Sequence, residues 1–266
     1  MIRTPCVVGR FYPSKPDTLR KNVRGFLVER TREKAIAIVA PHAGYMYSGA
    51  VAGEVYSSVV IPDDIILIGP NHTGMGKKVS VMSEGEWDTP LGRLKVNSKL
   101  AELILGGSRL FSSDIEAHLE EHSLEVQLPF IHELNKNASI VPITVMTASA
   151  NDCAELGRAL AGAISSYAKE VLIVVSSDMN HFESDKKTRV KDIAAIEAVL
   201  KLDAGRLLEV TSSRDITMCG VLPAAIAIEA ARALGATEAR LIRYSTSGET
   251  SGDFDHVVGY AGIVIK

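Results

Sequence analysis

The chain has 266 residues, of which 46% are hydrophobic, and its formal net charge is −3 at pH 7. This length can bury a large core, and the scattered lysines and arginines argue against a nucleic acid or an anionic membrane surface as partner. No apolar run approaches the roughly 20 residues that span a bilayer, and residues 1–10 lack a signal-peptide pattern, so we expect a cytoplasmic protein.

The first half of the chain alternates between helical and strand-like hydrophobic patterns. Apolar residues spaced three and four apart predict helices, whereas uninterrupted apolar runs predict strands that are buried on both faces. The predicted helices span residues 17–32, 48–60, 98–105 and 116–134. Strands are predicted at residues 35–40 and 65–68, and residues 78–82 and 92–96 are predicted to pair as a hairpin.

The second half continues the alternation of strands and helices. Strands are predicted at residues 139–145, 171–175, 239–244 and 257–265, with Pro142 indicating an edge strand or a bulge. Helices are predicted at residues 152–167, 188–198 and 203–212, and residues 219–224 lead into a further, alanine-rich helix that runs to about residue 234. The whole pattern predicts an α/β fold: one domain over residues 1–266, with a mixed central β-sheet flanked by helices.

Three of the predicted buried strands are each followed within a few residues by a histidine. His42 follows Pro41, His72 follows Pro70 and Asn71, and His181 ends the stretch VLIVVSSDMNH. Sites in open α/β sheets lie at the carboxyl ends of the strands. The sequence therefore predicts that His42, His72 and His181 belong to one site.

The polar residues before His181 allow two interpretations. Asp178 lies three residues before His181 and could hold its tautomer and raise its basicity, as a general base requires. Alternatively, Ser176, Ser177 and Asp178 could cap the start of a helix, because all three are favoured N-cap residues.

His122 lies within the helix predicted at residues 116–134. Helical spacing would place His122 and Glu125 on one side of that helix, which predicts a structural ion pair. The alternative is that His122 brings another acid–base group to the site.

Cys219 is the most informative of the three cysteines, which are Cys6, Cys153 and Cys219. It precedes a predicted helix, whose N-terminus would favour its thiolate. With two imidazoles it would form an open three-ligand site suited to zinc, iron or copper. The alternative is that Cys219 is a small buried hydrophobic residue.

Several motifs in order make the chain resemble the MEMO family over nearly its whole length. They are GRFYP at 9–13, PHAGYMYSG at 41–49, GPNH at 69–72, WDTPLG at 87–92, EHSLEVQLPF at 121–130, SSDMNHF at 176–182, CG at 219–220 and GY at 259–260. The resemblance implies a fold like that of the class III extradiol, LigB-type, non-haem iron dioxygenases.

The resemblance also implies roles for individual residues. The metal ligands would be His42, His72 and Cys219, while His181 would be the catalytic base with Asp178 beside it. The dioxygenases carry a carboxylate where Cys219 stands, and a softer thiolate shifts the preference toward copper, zinc or a differently tuned iron. Expected partners are a small molecule or a peptide, together with AMMECR-type and radical SAM proteins.

Three functions are consistent with these residues. The first is a metal-dependent oxidoreductase in which His42, His72 and Cys219 bind iron, or else copper, and His181 with Asp178 moves a proton. The second is a non-catalytic module that binds a peptide or another ligand in the same pocket. The third is a zinc hydrolase that uses the same ligands.

Overall fold

Twelve β-strands form one mixed sheet in the computed structural model, which describes residues 1–266. In chain order they are β1 (Ile2–Arg3), β2 (Ala37–Ala40), β3 (Asp64–Pro70), β4 (Val79–Val81), β5 (Glu86–Thr89), β6 (Gly92–Val96), β7 (Ser112–Ser113), β8 (Ser139–Val145), β9 (Val171–Ser176), β10 (His181–Glu183), β11 (Ala239–Thr246) and β12 (Val257–Ile265).

Ten α-helices accompany the sheet. They are α1 (Pro16–Phe26), α2 (Tyr45–Ser57), α3 (Ser98–Gly107), α4 (Glu116–Leu119), α5 (Leu128–Leu134), α6 (Ala150–Tyr167), α7 (Asp185–Leu200), α8 (Ala204–Ser213), α9 (Val221–Ala233) and α10 (Gly248–Ser251), with one 3₁₀ turn at Glu125–Gln127. None of these helices combines the length and the apolar character needed to cross a membrane.

The centre of the sheet is parallel. Its strand order is β1-β5-β6-β8-β3-β9-β2-β12-β10, and β8, β3, β9 and β2 run in one direction. β12 pairs with β2 in the antiparallel sense and β11 pairs with β12, so the sheet is mixed as predicted. The carboxyl ends of β3, β9 and β2 therefore lie side by side at one edge of the sheet.

Each face of the sheet carries its own hydrophobic core. Along β3, Ile66 and Ile68 pack into the core under α3, α6, α7, α8 and α9, whereas Ile65 and Leu67 pack into the core under α1, α2 and α5. Since both faces are covered, the central strands are continuous apolar runs without alternation. This confirms the prediction of buried strands before His42, His72 and His181.

The segment predicted as one helix at residues 116–134 is broken in the structure. α4 ends at Leu119, residues 120–124 are not helical, and α5 begins at Leu128 with Pro129 in its first turn. Proline suits a helix start because it lacks an N–H donor. Within residues 120–124, Glu121 Oε1 accepts the Ser123 N–H at 2.8 Å, a local bond that competes with the helix.

Two strand predictions are also corrected. The hairpin joins β5 to β6, whereas β4 pairs with β7 and β8. Pro142 lies within β8 in the sheet interior, opposite Leu67 of β3. On its other side the partner changes from β6 at Ile140 to β4 at Ile143, so the missing N–H of Pro142 falls between two ladders.

Candidate metal centre

Three imidazoles meet at the edge formed by the carboxyl ends of the parallel strands. His42, His72 and His122 each offer a ring nitrogen, and these nitrogens lie within 4.8 Å of one another. The ring centroids of His72 and His122 are 4.7 Å apart and nearly stacked, while those of His42 and His72 are 5.3 Å apart. This spacing makes the three rings a group that could hold one metal ion.

The order of the strands explains why His42 and His72 meet. His42 follows β2 by two residues and His72 follows β3 by two residues, with β9 between these strands. Ser176, the last residue of β9, therefore lies between the two histidines and contacts the His42 ring. The sheet positions both rings by its hydrogen-bond register.

The hydrogen bonds of Ser176 fix the tautomer of His42. The Ser176 hydroxyl donates to the Ser123 carbonyl at 2.6 Å and accepts from Gln127 Nε2 at 2.8 Å. With its single proton committed, it accepts the Nδ1–H of His42 at 3.0 Å. The Nε2 lone pair of His42 is thereby left for a ligand, and burial holds the pKa of His42 well below its usual range, so the ring is neutral.

The Glu121 carboxylate fixes the tautomer of His72, as Ser176 does for His42. Its Oε1 accepts from His72 Nδ1 at 2.9 Å, and its Oε2 accepts the His72 backbone N–H at 2.5 Å. Burial opposes ionisation, yet the hydrogen bond from His72 and its charge lower the pKa of Glu121 to about 2. The ionised Glu121 in turn raises the pKa of His72 against the effect of burial, and its hydrogen bond leaves Nε2 of that ring for a ligand.

Cys219 adjoins this group through His42. Its Sγ lies 3.2 Å from His42 Nε2 and accepts the Asp178 backbone N–H at 3.2 Å. Although α9 begins two residues later, burial raises the pKa of the Cys219 thiol, so the expected preference for a thiolate is not met. The role of Cys219 as a ligand stays a prediction, and a metal would have to displace its proton.

Asp178 and His181 lie beside the imidazoles with different partners from those predicted. Asp178 Oδ1 accepts the backbone N–H groups of His42 at 2.8 Å and Ala43 at 3.3 Å. His181 Nδ1 donates to the Thr217 carbonyl at 2.9 Å, so Thr217 sets its tautomer. Burial raises the pKa of Asp178, and the charge of the nearby His181 acts against that shift. The next helix, α7, begins at Asp185 with Ser184 as its N-cap, so residues 176–178 cap no helix and the capping interpretation is wrong.

The predicted ion pair between His122 and Glu125 is wrong, whereas the alternative, in which His122 adds a group to the site, agrees with its position beside His42 and His72. His122 lies in the break between α4 and α5, with its Nδ1 3.6 Å from Glu121 Oε1, while Glu125 pairs with Arg3. Burial lowers the pKa of His122, so its ring is neutral. Pro129 was the available signal, because a helix that begins there leaves the preceding residues free to cross the sheet edge.

The donor set is consistent with a metal. Three imidazoles each offer a ring nitrogen within 4.8 Å of the other two, two of the rings are oriented by hydrogen bonds, and a thiol adjoins them. The His42 residue is 2% exposed, whereas the side chains of His72 and His122 are 34% and 24% exposed. A metal held here would be shielded from solvent on the side of His42 and open to solvent on the side of His72 and His122.

A family model and individual relatives both match this chain over nearly its full length. The family model described as Memo-like protein matches residues 3–264. A MEMO1 family protein of Pyrobaculum arsenaticum is 42% identical over 99% of this chain and 98% of its own, and one from Aquifex aeolicus is 41% identical over the same shares. A MEMO1 family protein of Thermotoga neapolitana is 40% identical over the whole of both chains.

A solved structure shares the fold alone. It is the uncharacterized protein JW3007 from Escherichia coli K12, with a TM-score of 0.56 and 13% identity, covering 87% of this chain and 100% of its own. The family match over nearly every residue, together with relatives at about 40% identity, establishes that this chain belongs to the MEMO family.

Proposed function

We propose that this protein is a metal-dependent oxidoreductase whose metal, iron or copper, is held by His42, His72 and His122. The observation that carries the proposal is the convergence of their three ring nitrogens within 4.8 Å. Cys219, whose sulfur touches His42 Nε2, is the candidate for a further ligand. Imidazole nitrogens with a thiolate form a donor set that iron and copper both accept.

The bound metal would supply electron transfer and polarisation of a substrate oxygen on its open side. Proton transfer beside the metal would be carried out by side chains of the protein. His181 has its Nδ1 committed to the Thr217 carbonyl, so its Nε2 is free to take or release a proton. The Asp178 carboxylate accepts the backbone N–H of His42, and this bond fixes the backbone at the end of β2.

A zinc hydrolase is the second candidate. Three imidazoles with an open position are a donor set of catalytic zinc sites. The low pKa values of His42 and His122 favour this set, because neutral rings bind zinc without first losing a proton. The identity of the metal separates the two candidates.

Elemental analysis of protein purified without added metal tests the proposal. We expect close to one equivalent of iron or copper in the native protein and its loss in His122→Ala. His256→Ala is the matched control, because His256 lies in an exposed loop and should keep the metal. If the Cys219→Ala protein keeps its metal, the Cys219 thiolate is not a ligand.

Other outcomes would contradict the oxidoreductase. Stoichiometric zinc that exchanges poorly for iron would favour the hydrolase. A folded native protein that binds none of these metals, but binds a peptide or small molecule, would instead support a non-catalytic binding module.

A further inference from the structure

Arg3 is a charged side chain that lies wholly inside the protein. The residue is 1% exposed, and its guanidinium lies 4.4 Å from the centroid of the Trp87 ring. Its Nε donates to the His118 carbonyl at 3.0 Å and its Nη2 donates to the Glu121 carbonyl at 2.7 Å. The guanidinium thus contacts α4 at His118 and the segment that follows it at Glu121.

Glu125 completes this contact from the other side. One of its carboxylate oxygens pairs with Arg3 Nη1, and the carboxylate also accepts the backbone N–H groups of Cys6 at 2.7 Å and Val7 at 3.1 Å. The Tyr12 hydroxyl donates to it at 2.7 Å. Residues 3–12, which we call the N-terminal arm, are therefore bonded directly to residues 118–125.

The segment that the arm holds carries two residues of the candidate metal centre. Glu121, whose carbonyl accepts from Arg3, fixes the tautomer of His72 with its side chain. His122 is the next residue: its Nδ1 lies 3.6 Å from Glu121 Oε1, beyond hydrogen-bond distance, while its ring stacks on His72 and meets the Phe11 ring of the arm edge-on. Residues 120–124 are not helical: only the His122 and Leu124 carbonyls accept helix-type bonds, from the Val126 and Gln127 N–H groups at 3.2 Å each, and the Glu121 carbonyl is bonded by Arg3 instead.

We propose that Arg3 is a positioning residue for the metal centre, holding the backbone at Glu121 so that His122 and His72 face His42. This inference rests on the proposed metal binding. Arginine suits the role because its planar fork donates to two carbonyls and a carboxylate at once.

The ion pair also stabilises the fold, so the two effects have to be separated. Removing one partner of a buried pair leaves an uncompensated charge, whereas replacing both partners with neutral groups is much less damaging. The double variant Arg3→Met/Glu125→Gln removes both charges and keeps an amide oxygen for the arm. It should therefore recover most of the stability that Arg3→Met loses, without restoring the bonds to His118 and Glu121.

The experiment measures three quantities for each variant. They are the free energy of unfolding in urea, amide hydrogen exchange of residues 120–124 in metal-free protein, and the Kd for Co²⁺ as a spectroscopic probe. We expect faster exchange and about 10–100-fold weaker Co²⁺ binding in the double variant, the usual cost of losing an outer-shell partner. Arg3→Lys keeps the charge but loses the fork, so it should show the same two changes to a smaller extent.

Arg93→Met is the matched control. Arg93 is an exposed arginine that pairs with Asp88 and Glu86 on the β5–β6 hairpin, and its loss should leave exchange and Co²⁺ binding unchanged. A stable double variant with native exchange and native Co²⁺ affinity would overturn the inference. If the double variant does not fold, Arg3→Lys decides by the same measurements. If the native protein binds no Co²⁺ and no other metal, the proposed function fails, while the exchange rates still decide whether Arg3 orders the segment.

Discussion

At the scale of single residues, ring tautomers are set by uncharged groups as well as by charged ones. His42 is oriented by the Ser176 hydroxyl, His72 by the Glu121 carboxylate and His181 by the Thr217 carbonyl. In each case Nδ1 donates to the protein and Nε2 is left for another partner. Two of these rings, His42 and His72, belong to the three-histidine cluster, and their free Nε2 atoms make it suited to binding rather than to packing.

Asp192 on α7 gives the clearest dependence of stability on pH. It is buried, accepts the Asn180 backbone N–H at 2.8 Å and the Tyr244 hydroxyl at 2.7 Å, and burial raises its pKa from 3.8 to about 7. Between these two pH values the unfolded chain is ionised at this position while the folded protein keeps its proton. Stability should therefore fall as the pH rises through this range, by about 4 kcal/mol from this group.

Asp192→Asn tests this expectation. The amide of the variant keeps an acceptor for the Asn180 N–H and has no proton to lose. The free energy of unfolding of the variant should therefore rise relative to that of the native protein between pH 4 and pH 8. Urea unfolding at intervals of one pH unit measures the difference. Parallel curves for the two proteins would show that Asp192 ionises normally in the fold.

At the scale of elements, α6 and α9 pack closely because small residues face one another. A Cβ built on Gly157 of α6 would lie 2.4 Å from the Glu229 Cβ and 2.8 Å from the Ile226 carbonyl oxygen. A Cβ on Gly162, five residues along the same helix, would meet nothing within 4 Å. One helix therefore offers both a tight position and a free one.

Alanine at these two positions should have opposite effects. Gly162→Ala should raise the free energy of unfolding by about 0.5–1 kcal/mol, because alanine is the better helix former. Gly157→Ala gains the same propensity but forces the helices apart, and should lower stability by about 1–3 kcal/mol. Thermal and urea unfolding measure both values, and equal effects of one sign would contradict the packing.

At the scale of the whole molecule, one sheet separates two cores. Leu19 on α1 and Leu156 on α6 are both fully buried, on opposite faces. Since the same strands support both cores, loss of either should unfold the other. If the chain is the single domain expected from the sequence, the two cores should unfold together in one cooperative transition.

Leu19→Ala and Leu156→Ala should each cost about 2–5 kcal/mol. With the sheet between them and no shared neighbour, the double variant should lose the sum to within about 0.5 kcal/mol. Circular dichroism and Trp87 fluorescence should report one coincident transition in every variant. Two separate transitions would show that the cores are independent units.

The sequence by itself determined the features that depend on short stretches of chain. The apolar runs that end in His42, His72 and His181, the mixed α/β sheet and the family all follow from local residues, because a strand buried on both faces needs no polar alternation.

Only the tertiary structure decided which groups meet. His122 joins the cluster because residues 120–124 leave the helix and cross the sheet edge, and Arg3 reaches Glu125 across 122 positions of sequence. Contacts of this kind depend on strand order and chain crossing, which no local pattern encodes. For the same reason Asp178, only three residues from His181, binds the backbone of His42 while Thr217 orients the His181 ring.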